Sequence, residues 1–365
     1  MTDRPGWIAV LLLGILLLSI HGSAQGVLHR PVIDGHWLRP SDRYPAQPMW
    51  GHADGLRVGL WPLPGPRGLL RVYAPYLGHE EDRMINYIAV EPIVTGGVWR
   101  SFSELEESLL DGVQGLRFWS SDRPDDEDPR DPRRPSRGTV ASEGDVETLC
   151  VYVFLEPFRS GARVFLQLEF RSDRPHEVGI TTFTQDGSAR LSTCVITATM
   201  GNFARLRTLH LAGGTRSALD MWPGFSGADF AEHICVPLSD LLRTAAGDAL
   251  FVATPNERSP EDATYAPGTF IGWHYYGDVA TQYWRREAPP SGLKGCVNAR
   301  ATYWASNAAI PGGISFENFE LIEPYRNGNQ AWFGVELGPY EALVRAQCHR
   351  ILVTSHADRR MRFGY

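Results

Sequence analysis

Short runs rich in β-branched and aromatic residues recur along the chain, and most are bounded by Gly, Pro or Asp. About a dozen such runs can be distinguished, among them INYIAVEPIV, ARVFLQLEF and AWFGVEL. Helical patterns are few: two short segments start at Ser103 and Ser239, each a capping residue, and end at a glycine. So many strands with so little helix predict an all-β protein, an antiparallel β-sandwich or jelly roll with a few short helices.

The first 24 residues have the pattern of a secretory signal peptide. A short polar start precedes an apolar run from Trp7 to Ile20, and the small residues Gly22 and Ala24 stand where a signal peptidase cleaves. The run is shorter than the roughly 20 residues that a membrane-spanning helix needs, which argues against the alternative, an uncleaved anchor. We therefore expect cleavage after Ala24, no membrane span after cleavage, and a secreted or periplasmic protein.

The remaining residues, 25–365, fit a single β-sandwich domain. One segment, 120–144, differs from the rest because it is rich in proline, lacks aromatic residues and changes from acidic to basic charge. Such a segment buries too little apolar surface to order itself, which predicts a mobile loop. A linker between two domains is the alternative.

Charge and cysteine content limit the partners and cofactors. A net charge of −7 together with an export signal argues against nucleic acid as a partner. Five cysteines in an oxidising compartment allow at most two disulfides. Cys150 and Cys194 lie in apolar runs, where a buried free thiol and a disulfide are equally expected. No cysteine spacing suits zinc, and we predict neither a metal nor a cofactor.

The segment FENFELIEPY carries Glu317, Glu320 and Glu323 among aromatic residues. On a strand, Glu320 shares a face with Phe316 and Asn318, whereas the other two glutamates lie on the opposite face. Glycosidic cleavage by two carboxylates needs a separation of about 5 Å, or of roughly 6.5 to 9.5 Å, so a partner must come from a neighbouring strand. The candidates on mixed strand faces are Glu91, Glu169 and Glu336, and for each the alternative is an ordinary solvated or arginine-paired residue.

The segment FIGWHYYGDVATQYWRR contains Gly277-Asp278, a signal for a two-residue hairpin turn. That register would place His274 opposite Thr281. One face of the hairpin would then carry His274, Tyr276, Tyr283 and Arg285, and the other would carry Trp273 and Trp284. The first face suits proton abstraction beside a neutralised uronate, or is a solvated surface. The two tryptophans belong to the core or form a platform for sugar rings.

Two arginines, Arg205 and Arg207, share a strand face in MGNFARLRTLHLA. Such a pair can bind a carboxylate or sulfate through two-pronged hydrogen bonds. Because Lys294 is the only lysine, arginine also serves ordinary surface roles, and exposed side chains are the alternative.

Exported, aromatic-rich β proteins of this size resemble glycan-active jelly rolls and sandwiches in architecture. The sequence therefore predicts an exported carbohydrate-active protein that binds a poly- or oligosaccharide and cleaves it, as a glycoside hydrolase or a polysaccharide lyase. The alternative is a non-catalytic glycan-binding protein or a structural protein of the envelope. The predicted catalytic residues are Glu320, His274 and Tyr276. The predicted substrate-binding residues are Arg205, Arg207, Trp273, Tyr283, Trp284, Arg285, Asn318 and Trp332.

Overall fold

A computed structural model describes residues 26–31, 48–60, 66–78, 84–126, 134–199, 205–257, 264–269, 274–275, 277–304 and 307–344. The predicted signal peptide, Cys348 and the predicted site residues Trp273 and Tyr276 lie outside the described residues.

The described residues form strands and very little helix. In chain order the strands are β1 (Leu28–His29), β2 (Met49–His52), β3 (Arg57–Gly59), β4 (Leu69–Tyr73), β5 (Met84–Val94), β6 (Phe118–Ser121), β7 (Thr139–Glu143), β8 (Val146–Leu155), β9 (Val164–Arg171), β10 (Glu177–Thr184), β11 (Leu191–Thr199), β12 (Leu206–Leu211), β13 (Gly214–Ser217), β14 (Ile234–Pro237), β15 (Leu242–Arg243), β16 (Ala249–Pro255), β17 (Ala280–Arg286), β18 (Lys294–Arg300), β19 (Ser315–Ile322) and β20 (Asn329–Leu337). Within the described ranges, helix is confined to α1 (Ala218–Met221), to residues 340–344 and to two 3₁₀ turns, Pro75–Leu77 and Leu238–Asp240.

Two large antiparallel sheets account for these strands. Sheet A has nine strands in the order β1-β2-β3-β4-β5-β11-β19-β18-β14. Sheet B has the order β13-β12-β16-β17-β20-β10-β9-β8-β6, with β15 beside β16 and β7 beside β8. One large hydrophobic core contains residues of both sheets. The predicted all-β sandwich is therefore confirmed.

Aromatic side chains join the two sheets at the centre of this core. Phe251 of sheet B stacks on Phe319 of sheet A at 4.8 Å between ring centroids. Trp284 of sheet B is fully buried, and its indole Nε1 donates a hydrogen bond of 2.7 Å to the carbonyl of Phe319. Trp284 thus belongs to the core, and the alternative role as a sugar platform is wrong.

The two helices expected after Ser103 and Ser239 do not form. The first segment folds into turns because a buried carboxylate, Glu156, accepts hydrogen bonds from the amides of Leu110 and Arg117 and from the hydroxyl of Ser108. The amide of Leu110, which a helix would satisfy internally, is satisfied by another part of the chain. After Ser239 the chain makes only the 3₁₀ turn and then enters β15.

The segment 120–144 is less irregular than its composition predicts. Its first residues belong to β6, and its last part forms β7, which is fully exposed and pairs with β8. Main-chain hydrogen bonds build this strand, and composition does not reveal them. The amide of Ser136 donates to Ser120 Oγ at 3.0 Å, and that of Gly138 donates to Asp122 Oδ1 at 2.6 Å, so both ends are tied together. Mobility of the residues between them stays a prediction.

A bulge in β19 changes the face assignments within FENFELIEPY. Val297 of β18 pairs with Phe319 and Ala299 pairs with Phe316, so β19 has one extra residue between the two pairs. Both phenylalanines consequently lie in the core, and the predicted shared face of Glu320 and Phe316 is wrong. Glu320, next to Phe319, points to the side of sheet A away from sheet B, which we call the outer face.

Candidate functional site

A half-buried arginine joins two of the predicted glutamates on the outer face of sheet A. Arg100 donates from Nη2 to Glu320 Oε1 at 2.9 Å and from Nη1 to Glu320 Oε2 at 3.1 Å. The same Nη1 donates to Glu91 Oε2 at 2.7 Å. Because one nitrogen atom contacts both carboxylates, their nearest oxygens are less than about 6 Å apart, the range of paired catalytic carboxyls. We call Glu91, Arg100, His233 and Glu320 the carboxylate site.

Strand register and one turn position these groups. Strand β11 lies between β5, which carries Glu91, and β19, which carries Glu320. After β5 the chain turns at Gly96, whose φ of 82° favours glycine. The amide of Ser101 then donates to the carbonyl of Pro92 at 3.0 Å, which returns Arg100 to a position over the sheet.

Burial sets the protonation of Glu91. Removal from water raises its pKa well above the ordinary value, and the negative charges of Glu320 and Glu104 add to this, while Arg100 opposes it. Burial also raises the pKa of Glu104 to about 7. The site therefore combines a carboxyl that tends to keep its proton with a second carboxylate that receives both terminal nitrogens of Arg100.

His233 and Arg100 form the accessible rim of the carboxylate site. His233 Nε2 lies 3.6 Å from Glu320 Oε1, and 36% of its side chain is exposed. Burial lowers the pKa of His233, and the charge of Glu320 opposes that shift. The side chain of Arg100 is 16% exposed, whereas the two glutamates have almost no exposed surface.

Thr197 adds a polar group inside the site. It is fully buried and lies directly opposite Glu320 on the neighbouring strand β11. Its Oγ1 has no hydrogen-bond partner among the described residues. A buried hydroxyl without a partner costs free energy, so this atom is suited to bind a substrate hydroxyl or a water molecule.

A disulfide borders the site on the other side of Glu320. Cys296 of β18 pairs with Glu320 in the sheet and is bonded to Cys235 of the edge strand β14. His233 immediately precedes β14, so the disulfide holds the segment that carries His233. Cys150 and Cys194 are free thiols, which agrees with one of the two readings of their sequence context.

A second polar cluster contains three predicted site residues, Arg205, Arg207 and His274. Glu257 forms ion pairs with both arginines, whose side chains are buried. Arg205 donates to the hydroxyl of Tyr265, and the His274 ring stacks on the Tyr265 ring at 3.8 Å between centroids. We call these five residues the arginine–tyrosine cluster. The alternative of exposed arginines is wrong for both positions.

Besides its side-chain contacts, Arg207 makes three hydrogen bonds to the main chain. Its guanidinium donates to the carbonyls of Pro311, Gly313 and Ile314, just before β19. This arginine therefore supports the start of β19 in addition to pairing with Glu257.

The arginine–tyrosine cluster adjoins the same outer face of sheet A. Tyr265 packs against a small apolar cluster that includes Tyr87 and Ala89 of β5. Those two residues alternate with the core-facing residues of β5, as Glu91 does, and Tyr87 lies four residues before Glu91. At the rise of a strand, four residues span about 13 Å. Both clusters thus lie along one sheet surface.

The predicted hairpin at Gly277-Asp278 is wrong. Strand β17 pairs with β16 on one side and β20 on the other, so Thr281 lies opposite Glu336 rather than His274. Tyr283 and Arg285 instead contact the buried Glu177, with 2.8 Å from the Tyr283 hydroxyl to Oε1. Two occupied strand edges exclude the pairing that the turn signal predicted, and His274 belongs to a different cluster from these residues.

The other predicted residues are distributed over both sheets. Trp332 is buried on sheet B, with the guanidinium groups of Arg174 and Arg285 over its ring. Asn318 lies at the bulge, where its backbone N–H donates to Asn298 Oδ1 at 2.9 Å. Of the alternative glutamates, Glu169 contacts Gln330 at 3.3 Å, Glu336 contacts His176 at 3.2 Å, and Glu91 alone shares a described partner with Glu320.

Sequence reasoning missed Arg100, His233 and Thr197. The signal for Arg100 was its position after a Gly-Gly turn that follows the strand carrying Glu91. Nothing in the local sequence distinguishes His233 or Thr197, because their roles depend on strands that are distant in the chain.

No family model, curated protein or solved structure matches this chain. Within the described ranges, no group of three or more His, Cys, Asp or Glu side chains is arranged to hold a metal ion. The part of the chain that the structure describes also contains no helix long and apolar enough to cross a membrane.

Proposed function

We propose that this protein hydrolyses glycosidic bonds in a polysaccharide, with Glu91 as general acid and Glu320 as nucleophile. One observation carries the proposal: a single guanidinium nitrogen contacts both carboxylates, which brings them to less than about 6 Å. Glycosidases that retain the configuration of the sugar hold their two carboxyls about 5 Å apart. The proposed reaction therefore proceeds with retention.

The environments of the two glutamates suit different roles. The raised pKa of Glu91 keeps a proton available for the leaving oxygen. Glu320 accepts hydrogen bonds from both terminal nitrogens of Arg100, which orient its carboxylate for attack. Two carboxyls whose environments differ in this way are the usual arrangement of an acid and a nucleophile.

The reaction has two steps. In the first, Glu91 gives its proton to the glycosidic oxygen while the bond from that oxygen to the anomeric carbon breaks and a Glu320 oxygen bonds to the same carbon. In the second, a water molecule gives a proton to Glu91 and its oxygen displaces Glu320 from the anomeric carbon. Glu91 is then protonated and Glu320 ionised, as at the start.

Substrate reaches the carboxylates from the side of Arg100 and His233, since these two side chains form the exposed rim. When the side chains of Arg100 and His233 move apart, the site opens. The hydroxyl of Thr197 then becomes available to a sugar hydroxyl. An extracytoplasmic location is part of the proposal. It is supported by the signal-like first 24 residues and by the Cys235–Cys296 disulfide, which is typical of oxidising compartments.

A second candidate function is elimination from a uronate-containing polysaccharide at the arginine–tyrosine cluster. The observation that favours it is the contact of Tyr265 with both Arg205 and His274. Arg205 would neutralise the uronate carboxylate, and His274 or Tyr265 would transfer the proton. The cluster lies on the same outer face, so both chemistries would use one surface of sheet A.

The test incubates the purified mature protein with neutral, uronate-containing and sulfated polysaccharides and follows reducing ends and the ultraviolet absorbance of unsaturated products. Hydrolysis predicts new reducing ends without that absorbance. It also predicts that Glu91→Gln and Glu320→Gln each lower the rate 10²- to 10⁴-fold, whereas the control Glu169→Gln leaves it within about threefold, too little for a catalytic group.

Other outcomes select other functions. Unsaturated products, lost in His274→Ala but retained in Glu320→Gln, would replace hydrolysis by elimination. Retained binding without any cleavage would leave a non-catalytic glycan-binding protein.

A further inference from the structure

Two exposed aromatic side chains and a guanidinium group are in mutual contact at one end of the outer face of sheet A. Trp304 is 44% exposed and Phe230 is 42% exposed, with 5.8 Å between their ring centroids. The guanidinium carbon of Arg300 lies 5.1 Å from the Trp304 centroid and 4.8 Å from the Phe230 centroid. Large aromatic side chains usually bury most of their surface, so two exposed ones in contact indicate a binding surface.

The arginine beside the two rings is held in place by the main chain. Arg300 Nε donates to the carbonyl of Thr302 at 3.2 Å, and Nη2 donates to that of Ala228 at 2.8 Å. A guanidinium has five N–H groups, and Nη1 has no hydrogen-bond partner among the described residues. The aromatic faces and this remaining donor together match a pyranose ring, which has apolar C–H faces and hydroxyls at its edge.

The segment 228–233 connects this surface to the carboxylate site. It carries Phe230 at one end and His233 at the other, and the amide of Ala231 donates to the carbonyl of Ala299 at 2.8 Å. On β18, Arg300 lies four residues beyond Cys296, which pairs with Glu320. Four residues of a strand span about 13 Å, a distance that several linked sugars bridge and a single sugar does not.

We infer that Trp304, Phe230 and Arg300 form a binding platform for sugar rings of an extended polysaccharide chain, several sugar units away from the bond cleaved at Glu320. The inference rests on the proposed function, because the carboxylate site defines where that bond lies. The platform makes the protein specific for polymers over short glycosides and places cleavage inside the chain. Arg300 Nη1, which has no partner among the described residues, can donate to either hydroxyl or carboxylate oxygens, so neutral and acidic polymers are both candidates.

The test measures binding separately from cleavage. Wild type, Trp304→Ala, Phe230→Ala and Glu320→Gln are run in native gels that contain β-glucan, xylan, alginate or dextran sulfate, and dissociation constants are taken from the retardation. The control is Leu337→Ala, which removes a side chain of similar exposure (42%) on sheet B. Circular dichroism and thermal midpoints check that all variants fold.

We expect retardation by at least one polymer, weakened roughly fivefold or more in Trp304→Ala and Phe230→Ala, as loss of an aromatic contact implies. Leu337→Ala and Glu320→Gln should bind as wild type does. The partner of Arg300 follows from comparing two groups of polymers. Tighter binding of β-glucan and xylan indicates a hydroxyl, whereas tighter binding of alginate and dextran sulfate indicates an anion. Unchanged binding in both aromatic variants, or no retardation of wild type by any polymer, overturns the inference.

The proposed function can fail without the platform failing. Binding that depends on Trp304, combined with an absence of any cleavage, would remove the catalytic assignment of Glu320 and keep the platform. Cleavage that depends on Glu320 but not on Trp304 would do the reverse. With an active protein, Trp304→Ala should raise KM for the polymer roughly fivefold and leave kcat/KM for a nitrophenyl monosaccharide unchanged.

Discussion

Cys296 lies directly opposite Glu320 on the neighbouring strands β18 and β19. Its disulfide partner Cys235 belongs to β14, the last described strand of sheet A, which pairs with β18 and with no other described strand of that sheet. An edge strand held on one side depends more on a covalent link than a central strand does. The disulfide therefore secures the segment that brings His233 to Glu320.

We expect the Cys235→Ser/Cys296→Ser variant to lose about 2 to 4 kcal/mol of stability, because the bond closes a loop with a sequence separation of 61. Chemical denaturation of both proteins measures the loss. The control is Cys150→Ser, which removes a free thiol and should change stability much less. Equal denaturation curves for the double variant and the wild type would contradict the structural role of the disulfide.

Replacing Arg100 by Met should destabilise the protein by about 3 to 5 kcal/mol at pH 7, because the buried carboxylate of Glu320 loses its counter-ion and Glu91 loses a hydrogen-bond donor. Adding Glu320→Gln to Arg100→Met should restore part of the stability. Arg159→Met, which removes the exposed pair with Glu107, serves as the control and should cost less than about 1 kcal/mol.

Glu317 should make stability fall with rising pH. Burial raises its pKa to about 7, so between the ordinary value of 4.5 and pH 7 the folded state keeps a proton that the unfolded state releases. The stability of Glu317→Gln relative to wild type should therefore increase by up to about 3 kcal/mol from pH 4 to pH 8. Unfolding curves across this range test it, with the exposed Glu143→Gln as control. A difference that does not vary with pH would show that Glu317 titrates normally.

His52 should make the stability of the fold decrease as the pH falls. It is fully buried, both ring nitrogens lack partners among the described residues, and burial lowers its pKa to about 4. As the pH falls from 6.5 to 4, the unfolded state binds a proton before the folded state does, so stability is lost. We expect His52→Leu to reduce this loss by up to about 3 kcal/mol. Parallel stability profiles for wild type and variant over pH 4 to 7 would refute the expectation.

The strand content and the sandwich architecture could be predicted from the sequence, because side-chain chemistry and turn residues act locally. Strands such as β5, β9 and β20 follow their β-branched and aromatic runs closely. Local patterns failed where distant groups competed. Glu156 satisfied the Leu110 amide of an expected helix, and β16 and β20 occupied both edges of β17, which excluded the expected hairpin.

The candidate site shows the same division. The sequence alone identified Glu320 as a carboxylate that needs a partner from another strand and included Glu91 among the candidates, because residue type and strand periodicity are local properties. Only the tertiary structure paired Glu91 with Glu320 through Arg100 and set Thr197, His233 and Cys296 around them. The physical reason is that strand order, the bulge in β19 and the return of the chain after Gly96 arise from packing between segments that lie far apart in the chain.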